Sequence, residues 1–237
     1  MLIVRATCAL LCLAAAAALA GCATGVGAEA PGGVNLAGAW KLDPGASDDP
    51  EKLLAQMRAE AYKIINRPPP PTPPPLPENG RAPRDRPQTQ QPTYDEPAVA
   101  PVGPGGQRAD PLKYSPMAHI IMEAAARGDF LTVRQEAGKF VLDYGTSKRT
   151  FTPGEHSVVS VESGVGDQTS GWKGRQYVIR VNAQLGPQVT EEYGLSPDGK
   201  HLVTKLHIGS GELSPVTLTR VYNPTTEIAP QQLPTTD

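Results

Sequence analysis

The chain is short of aromatics, cysteine and histidine, and it has no strong bias of charge. Its 237 residues include 2 Trp, 7 Tyr and 3 Phe, so the placement of each large side chain is informative. The three cysteines are Cys8, Cys12 and Cys22. Everything after residue 22 therefore lacks a disulfide, a thiolate zinc site and a Cys nucleophile. Of the four histidines, His201 and His207 share one face of a strand, but six residues at about 3.4 Å each separate them by roughly 20 Å, too far to share an ion. His119 and His156 have no second ligand at metal-binding spacing in the sequence. A balance of 22 basic against 24 acidic residues gives a net charge of -2, which supplies no general drive toward nucleic acid. Beyond the first twenty residues no apolar run approaches the length that spans a bilayer. What the chain has in quantity is Pro, 26 residues, and Gly, 24, and that share of turn-forming residues suits one modest domain better than two well-packed ones.

Arg5 precedes an apolar run from Ala6 to Ala20 that has the length of an export-signal core. The run ends in Leu19-Ala20-Gly21-Cys22. This tetrapeptide resembles the lipobox of bacterial lipoproteins, in which the Cys is acylated and becomes the mature N-terminus. The resemblance implies a signal peptide over 1–21, an acyl anchor on Cys22 that holds the chain to a membrane with no transmembrane helix, and a tether over 22–33. Ala23 is not the Asp associated with inner-membrane retention. The implied location in a Gram-negative host is the periplasmic face of the outer membrane.

The remaining chain divides into 34–66, a Pro-rich insertion over 67–114, a β-rich part over 115–223 and a tail over 224–237. Val34 to Asp43 reads as a strand, with Leu36, Trp40 and Leu42 on one face. Ser47, Asp48 and Asp49 before Pro50 form a helix start, with Asp48 and Glu51 at capping-box spacing. Leu53, Leu54, Met57, Ala61, Ile64 and Ile65 then follow at helical spacing. Of the 26 prolines, 14 lie between Pro68 and Pro104. Without donor N–H groups such a run cannot join helix or sheet, so it is expected to be extended or disordered, either as a docking peptide or as a solvated insertion. Ser115-Pro116 starts a second helix that Gly128 ends. Alternating runs punctuated by turn residues, such as Pro153-Gly154, Gly186-Pro187 and Ser196-Pro197-Asp198-Gly199, continue to Tyr222. Connections this short permit antiparallel neighbours only. The expected fold is mainly β: an antiparallel up-and-down meander or barrel of about 8–9 strands, with two short helices and the Pro-rich insertion.

Gly38-Ala39-Trp40 resembles the G-x-W of lipocalin-like (calycin-type) barrels, and the closing Thr219-Arg220-Val221-Tyr222 supplies an Arg where that family packs one over the Trp. The resemblance covers roughly Val34 to Leu42 and Phe130 to Tyr222. The family's second T-D-Y motif is absent, Asp143-Tyr144 being a partial echo. The resemblance implies a cavity for a small apolar ligand.

Alternation puts Glu191 on a face with Val189, Tyr193 and Leu195, and Arg220 on a face with Val216, Leu218 and Tyr222. Buried charges need partners, since isolating either costs several kcal/mol. Trp40, Tyr177, Glu191, Tyr193 and Arg220 are therefore the candidate site, either a ligand-orienting polar cluster or a structural plug that fills the barrel. Catalytic patterns are lacking. Ser170-Gly171-Trp172-Lys173 spells S-x-x-K but has no S-D-N or K-T-G companion, and no G-x-S-x-G or phosphate-cradling glycine loop occurs. No cofactor set is legible either. The preferred reading is a non-catalytic binding module for a small apolar or amphipathic ligand. The alternative is an envelope lipoprotein that contacts a protein partner through the Pro-rich segment and sheet edges.

Overall fold

The computed structural model describes residues 25–68, 109–161 and 164–227. The segment 1–21 read as a signal peptide, Cys22, most of the Pro-rich insertion and the end of the tail lie outside the described residues.

Among the described residues ten strands and two helices are formed. Strand β1 (Gly38–Leu42) is followed by helices α1 (Pro50–Ile65) and α2 (Pro116–Ala126). Then come β2 (Phe130–Glu136), β3 (Lys139–Asp143), β4 (Lys148–Phe151), β5 (His156–Val161) and β6 (Gly164–Lys173). The series ends with β7 (Gln176–Ala183), β8 (Gln188–Leu195), β9 (Leu202–Gly209) and β10 (Val216–Pro224). All pairings are antiparallel, in the order β4-β3-β2-β1-β10-β9-β8-β7-β6-β5. The first and last strands thus pair with each other, and the free edges of this curled half-barrel are the consecutive strands β4 and β5. Curling brings the inner faces together: the rings of Phe140 on β3 and Tyr177 on β7 stack with centroids 3.7 Å apart.

The expected mainly antiparallel fold is what the chain forms, with ten strands rather than 8–9. The addition is β6, ten residues long, where the sequence suggests turn glycines and a short run around Trp172. Gly164, Gly166 and Gly171 carry no side chain, so the alternation that marks a strand is blank at those positions. Two of them are there for close approach. A Cβ on Gly166 would lie 3.1 Å from Val181 Cγ1, and one on Gly171 would lie 2.6 Å from the Gly27 carbonyl. The pairing of Gly27 with Trp172, with N···O distances of 2.7 and 2.8 Å, docks a segment that reads from sequence as a free tether.

Helix α1 is capped by Asp49, whose carboxylate accepts from the amides of Glu51 and Lys52. The expected Asp48–Glu51 box does not form, because Asp48 accepts from the Thr219 amide at 2.7 Å and so fastens the helix start to β10. Helix α2 begins as expected at Ser115, whose hydroxyl accepts from the Ala118 amide, and Gly128 follows it with φ +82°. Leu54, Met57 and Ala61 of α1 pack with Met117, Ala118 and Ile121 of α2 onto Leu206, Ile208 and Leu218 of β9 and β10. Leu112, inside the region read as insertion, is buried in this layer too. A second core, rich in aromatics, fills the other end of the sheet with Leu36, Trp40, Phe140, Tyr144, Trp172, Tyr177, Tyr193 and Tyr222.

Candidate functional site

Cross-strand register sorts the inward residues into rows. Tyr177, Tyr193, Thr204 and Arg220 occupy one row across β7 to β10, followed toward the helices by Ile179, Glu191, Leu206 and Leu218, and then by Val181, Val189, Ile208 and Val216. The rows below Glu191 are filled by large rings. The rows above it carry aliphatic side chains, and over β9 and β10 these meet the helices. Over β5 to β8 no described residue fills them, which leaves a cavity of about 510 Å³.

The cavity wall is contributed by Ile120 and Glu123 of α2, Val159 and Val161 of β5, Gln168 of β6, Val181 and Ala183 of β7, and Val189 of β8. Its floor is ionic, made of Arg127, Arg149 and Glu191. Arg149 on β4 donates through Nη1 to both Glu191 carboxylate oxygens, at 2.7 and 2.8 Å. Arg127, which ends α2, donates to Glu191 Oε2 at 3.1 Å and to Oε1 at 3.5 Å. The Tyr193 hydroxyl donates to Oε2 at 2.5 Å and meets the Tyr144 hydroxyl at 3.1 Å. Each guanidinium also lies over a ring, Arg127 over Tyr144 and Arg149 over Phe151.

Burial alone would raise the pKa of Glu191, but the charges of Arg127 and Arg149 and the hydrogen bonds to Tyr193 and Arg149 outweigh it and hold the group at about 2. Burial disfavours the charged forms of both guanidiniums, yet the Glu191 carboxylate more than offsets this, so Arg127 and Arg149 remain cations. Burial and the adjacent Glu191 charge push the Tyr193 phenol up, and burial takes Tyr177 to about 12. At neutral pH the floor therefore holds two positive charges and one negative, and the Glu123 side chain stands in the wall of the same cavity.

The five residues singled out from sequence take different places. Glu191 and Tyr193 are bonded to each other. Tyr177 lies deeper, its hydroxyl on Ser170 and its ring between Phe140 and Trp172. Trp40 is buried in the same aromatic core, with Nε1 donating to the Leu36 carbonyl at 3.2 Å. Gly38 gives its ring room, since a Cβ there would stand 3.3 Å from Nε1. Arg220 is not bonded to Glu191. It donates to the carbonyls of Ala124 and Gly128 at 2.9 and 2.8 Å, lies over Tyr222, and so ties the end of α2 to β10. Arg220, Glu191 and Tyr193 also border a separate void of about 20 Å³, room for about one water. Sequence reasoning missed Arg127 and Arg149. The signal for Arg149 was its alternation with Phe151 on a face that had to turn inward, and Arg127 carried none beyond its place at a helix end.

Among the described residues no group of three or more metal-ligating side chains occurs. Ser170 and Lys173 do not act together, because Ser170 is buried against Tyr177 while Lys173 is exposed on the opposite face of β6.

The fold and cavity thus define an antiparallel curled half-barrel with a helical cap and a polar-floored apolar pocket. No protein-family model matches the chain, and no curated protein matches it either. Among solved structures it is similar to the apo form of Caenorhabditis elegans lipid binding protein 8, at 11% identity over 81% of this chain and 99% of that one, with a TM-score of 0.42. It is also similar to a REP1-NXSQ fatty acid transporter, at 13% identity over 81% and 98%, with a TM-score of 0.39. A fatty acid-binding protein from Drosophila melanogaster brain tissue shares 19% identity over 40% of this chain and 70% of that one, with a TM-score of 0.31. At these TM-scores the likenesses assign neither a family nor a ligand to this chain.

Proposed function

We propose that this protein is a non-catalytic carrier of a small amphipathic molecule, held by an acylated Cys22 at the periplasmic face of the outer membrane. The observation that carries the binding reading is the cavity of about 510 Å³ whose walls are mainly aliphatic, with Glu123 and Gln168 among them, over a charged floor, a size and lining typical of small-molecule sites. The apolar part of a ligand takes the space between α2 and β5 to β8, and a polar or acidic end meets the floor at Arg149. Support for the anchor is the Leu19-Ala20-Gly21-Cys22 sequence directly after an apolar run.

Native mass spectrometry of the protein extracted from its host tests the carrier reading. The expected result is a bound amphiphile that leaves on denaturation; protein that is always recovered empty, and that takes up no amphiphile from solution, refutes it. Metabolic labelling with a radiolabelled fatty acid tests the anchor, with label expected on the wild type and lost in Cys22→Ala.

One observation favours a second reading, a protein-interaction role in the envelope. Among the described residues strand β5 is a free edge with no Asp, Glu, Lys or Arg in His156–Val161, and Val158 on it is 66% exposed. In vivo cross-linking of the wild type, of a Val158→Lys variant and of a deletion of residues 68–104 decides it, since partners unchanged in both variants exclude the β5 edge and the Pro-rich segment alike.

A further inference from the structure

Where the chain enters the domain constrains what the cavity can face. The first described residues do not hang free. Gly27 exchanges both backbone hydrogen bonds with Trp172 at the far end of β6. Ala28 lies against Gly154 so closely that a Cβ there would meet its Cβ at 3.0 Å. Ala30, Val34 and Leu36 continue into the aromatic core. The strap is therefore fastened over the filled end of the half-barrel, beside the β6–β7 turn.

The cavity lies toward the other end, where its lining reaches Ala183 and Pro187 at the β7–β8 turn and Pro116 at the start of α2, and this end is called its mouth. Ala183 pairs with Gly166, near the beginning of β6, whereas Trp172 is near its end. At the same end Ile64, Ile65, Pro111 and Leu112 line a common hollow with Leu213 of the β9–β10 turn.

Reach then decides orientation. From Cys22 to Gly27 there are five residues, at most about 18 Å when fully extended. From Trp172 back to Gly164, where the strand begins, is eight residues, roughly 27 Å along the strand. With the usual barrel tilt of about 40° this still projects to roughly 21 Å, before the helical cap is added. An acyl chain on Cys22 fixes the tether at the bilayer surface, so the strap cannot stand off far enough for the mouth to be pressed onto that same bilayer.

We infer that the anchored protein points its cavity mouth away from the membrane that holds it, so that cargo is exchanged through the aqueous side rather than by contact with the anchoring bilayer. This rests on the lipid anchor proposed above. It explains why the domain is strapped at its filled end, and it makes tether length a functional variable.

The scarcity of cysteine makes the test direct, since Cys22 is acylated and no other thiol remains in the mature chain. Lys173→Cys, on the β6–β7 turn side, and Leu185→Cys, on the mouth side and 77% exposed, each carry one fluorophore in the full acylated protein, reconstituted in phosphatidylethanolamine and phosphatidylglycerol vesicles that contain headgroup-labelled acceptor lipid. The expected result is energy transfer several times stronger from residue 173 than from residue 185. A twenty-residue Gly/Ser insertion after Thr24, with an r.m.s. span of about 25 Å, is expected to erase that difference. Equal transfer with the natural tether, or stronger transfer from residue 185, overturns the orientation while leaving the anchor intact. Acyl-dependent flotation, measured on the same samples, separates the two ideas, because protein that floats equally well as Cys22→Ala overturns the anchor and this inference with it.

Discussion

Replacing Glu191 by Gln preserves the shape of the cavity floor and removes its only negative charge. In the native protein that carboxylate is held at about 2, against an ordinary value of 4.5. The difference corresponds to about 3 kcal/mol of folding stability at neutral pH. Removing one member of a buried ion pair costs roughly 3–5 kcal/mol, since the partners stay buried without compensation. Here two guanidiniums, Arg127 and Arg149, would be left facing each other. We therefore expect Glu191→Gln to lose about 3 kcal/mol at pH 7 in urea unfolding.

The pH dependence gives the sharper check. Because the folded pKa lies below the unfolded one, the unfolded chain binds the proton more readily between them. The contribution is fully present above about pH 5 and is lost as pH falls toward 2. The gap between wild type and Glu191→Gln should accordingly be widest at neutral pH and narrow progressively between pH 5 and pH 2, the wild type descending to meet the variant. A gap below about 0.5 kcal/mol at pH 7, or one that stays constant across that range, would refute the assignment of Glu191 as the ionised centre of the floor.

Three further changes probe other parts of the molecule. Arg220→Met keeps the apolar stem but strips the Ala124 and Gly128 carbonyls of their donor; with hydrogen bonds to charged groups contributing about 1.5–3 kcal/mol each, a loss of at least about 2 kcal/mol is expected by thermal unfolding, with faster amide exchange at the end of α2. Ala183→Trp fills the cavity from β7; uptake of a fluorescent anionic amphiphile such as 1-anilinonaphthalene-8-sulfonate should fall at least tenfold while the melting temperature changes by only a few degrees, and retained uptake would place binding elsewhere. Gly171→Ala forces a Cβ to within 2.6 Å of the Gly27 carbonyl; overpacking of this kind costs about 1–3 kcal/mol, and the Trp172 amide, which bonds that carbonyl, should lose protection from hydrogen exchange.

The antiparallel meander was legible because its signals are local. Turn residues mark the ends of runs, and alternation within a run states which side chains share a face, as it did for Val189, Glu191 and Tyr193. The starts of both helices showed for the same reason, through Pro50 and Pro116 at their first turns. Local signals failed where side chains are missing, as in the glycine-rich β6, and where a residue's partner is distant, as with Asp48, which left its own helix to bond Thr219. Alternation showed that Glu191 turns inward and so must find a partner, but it had no means of naming that partner.

Tertiary structure alone chose the partners. Arg127 and Arg149 stand 64 and 42 residues away from Glu191 in the chain, and only the curling of the sheet and the seating of α2 bring them to one carboxylate. Curling also answered whether the barrel is filled or open. Large rings such as Phe140, Tyr177 and Tyr193 occupy one end because they lie on facing strands. Among the described residues the other end stays hollow over β5 to β8 because the helices cover only β9 and β10 closely. By itself the sequence determined the strand-and-turn order and the inward-facing residues. Which inward residues meet, and where space is left between them, depends on long-range packing, which no local pattern encodes.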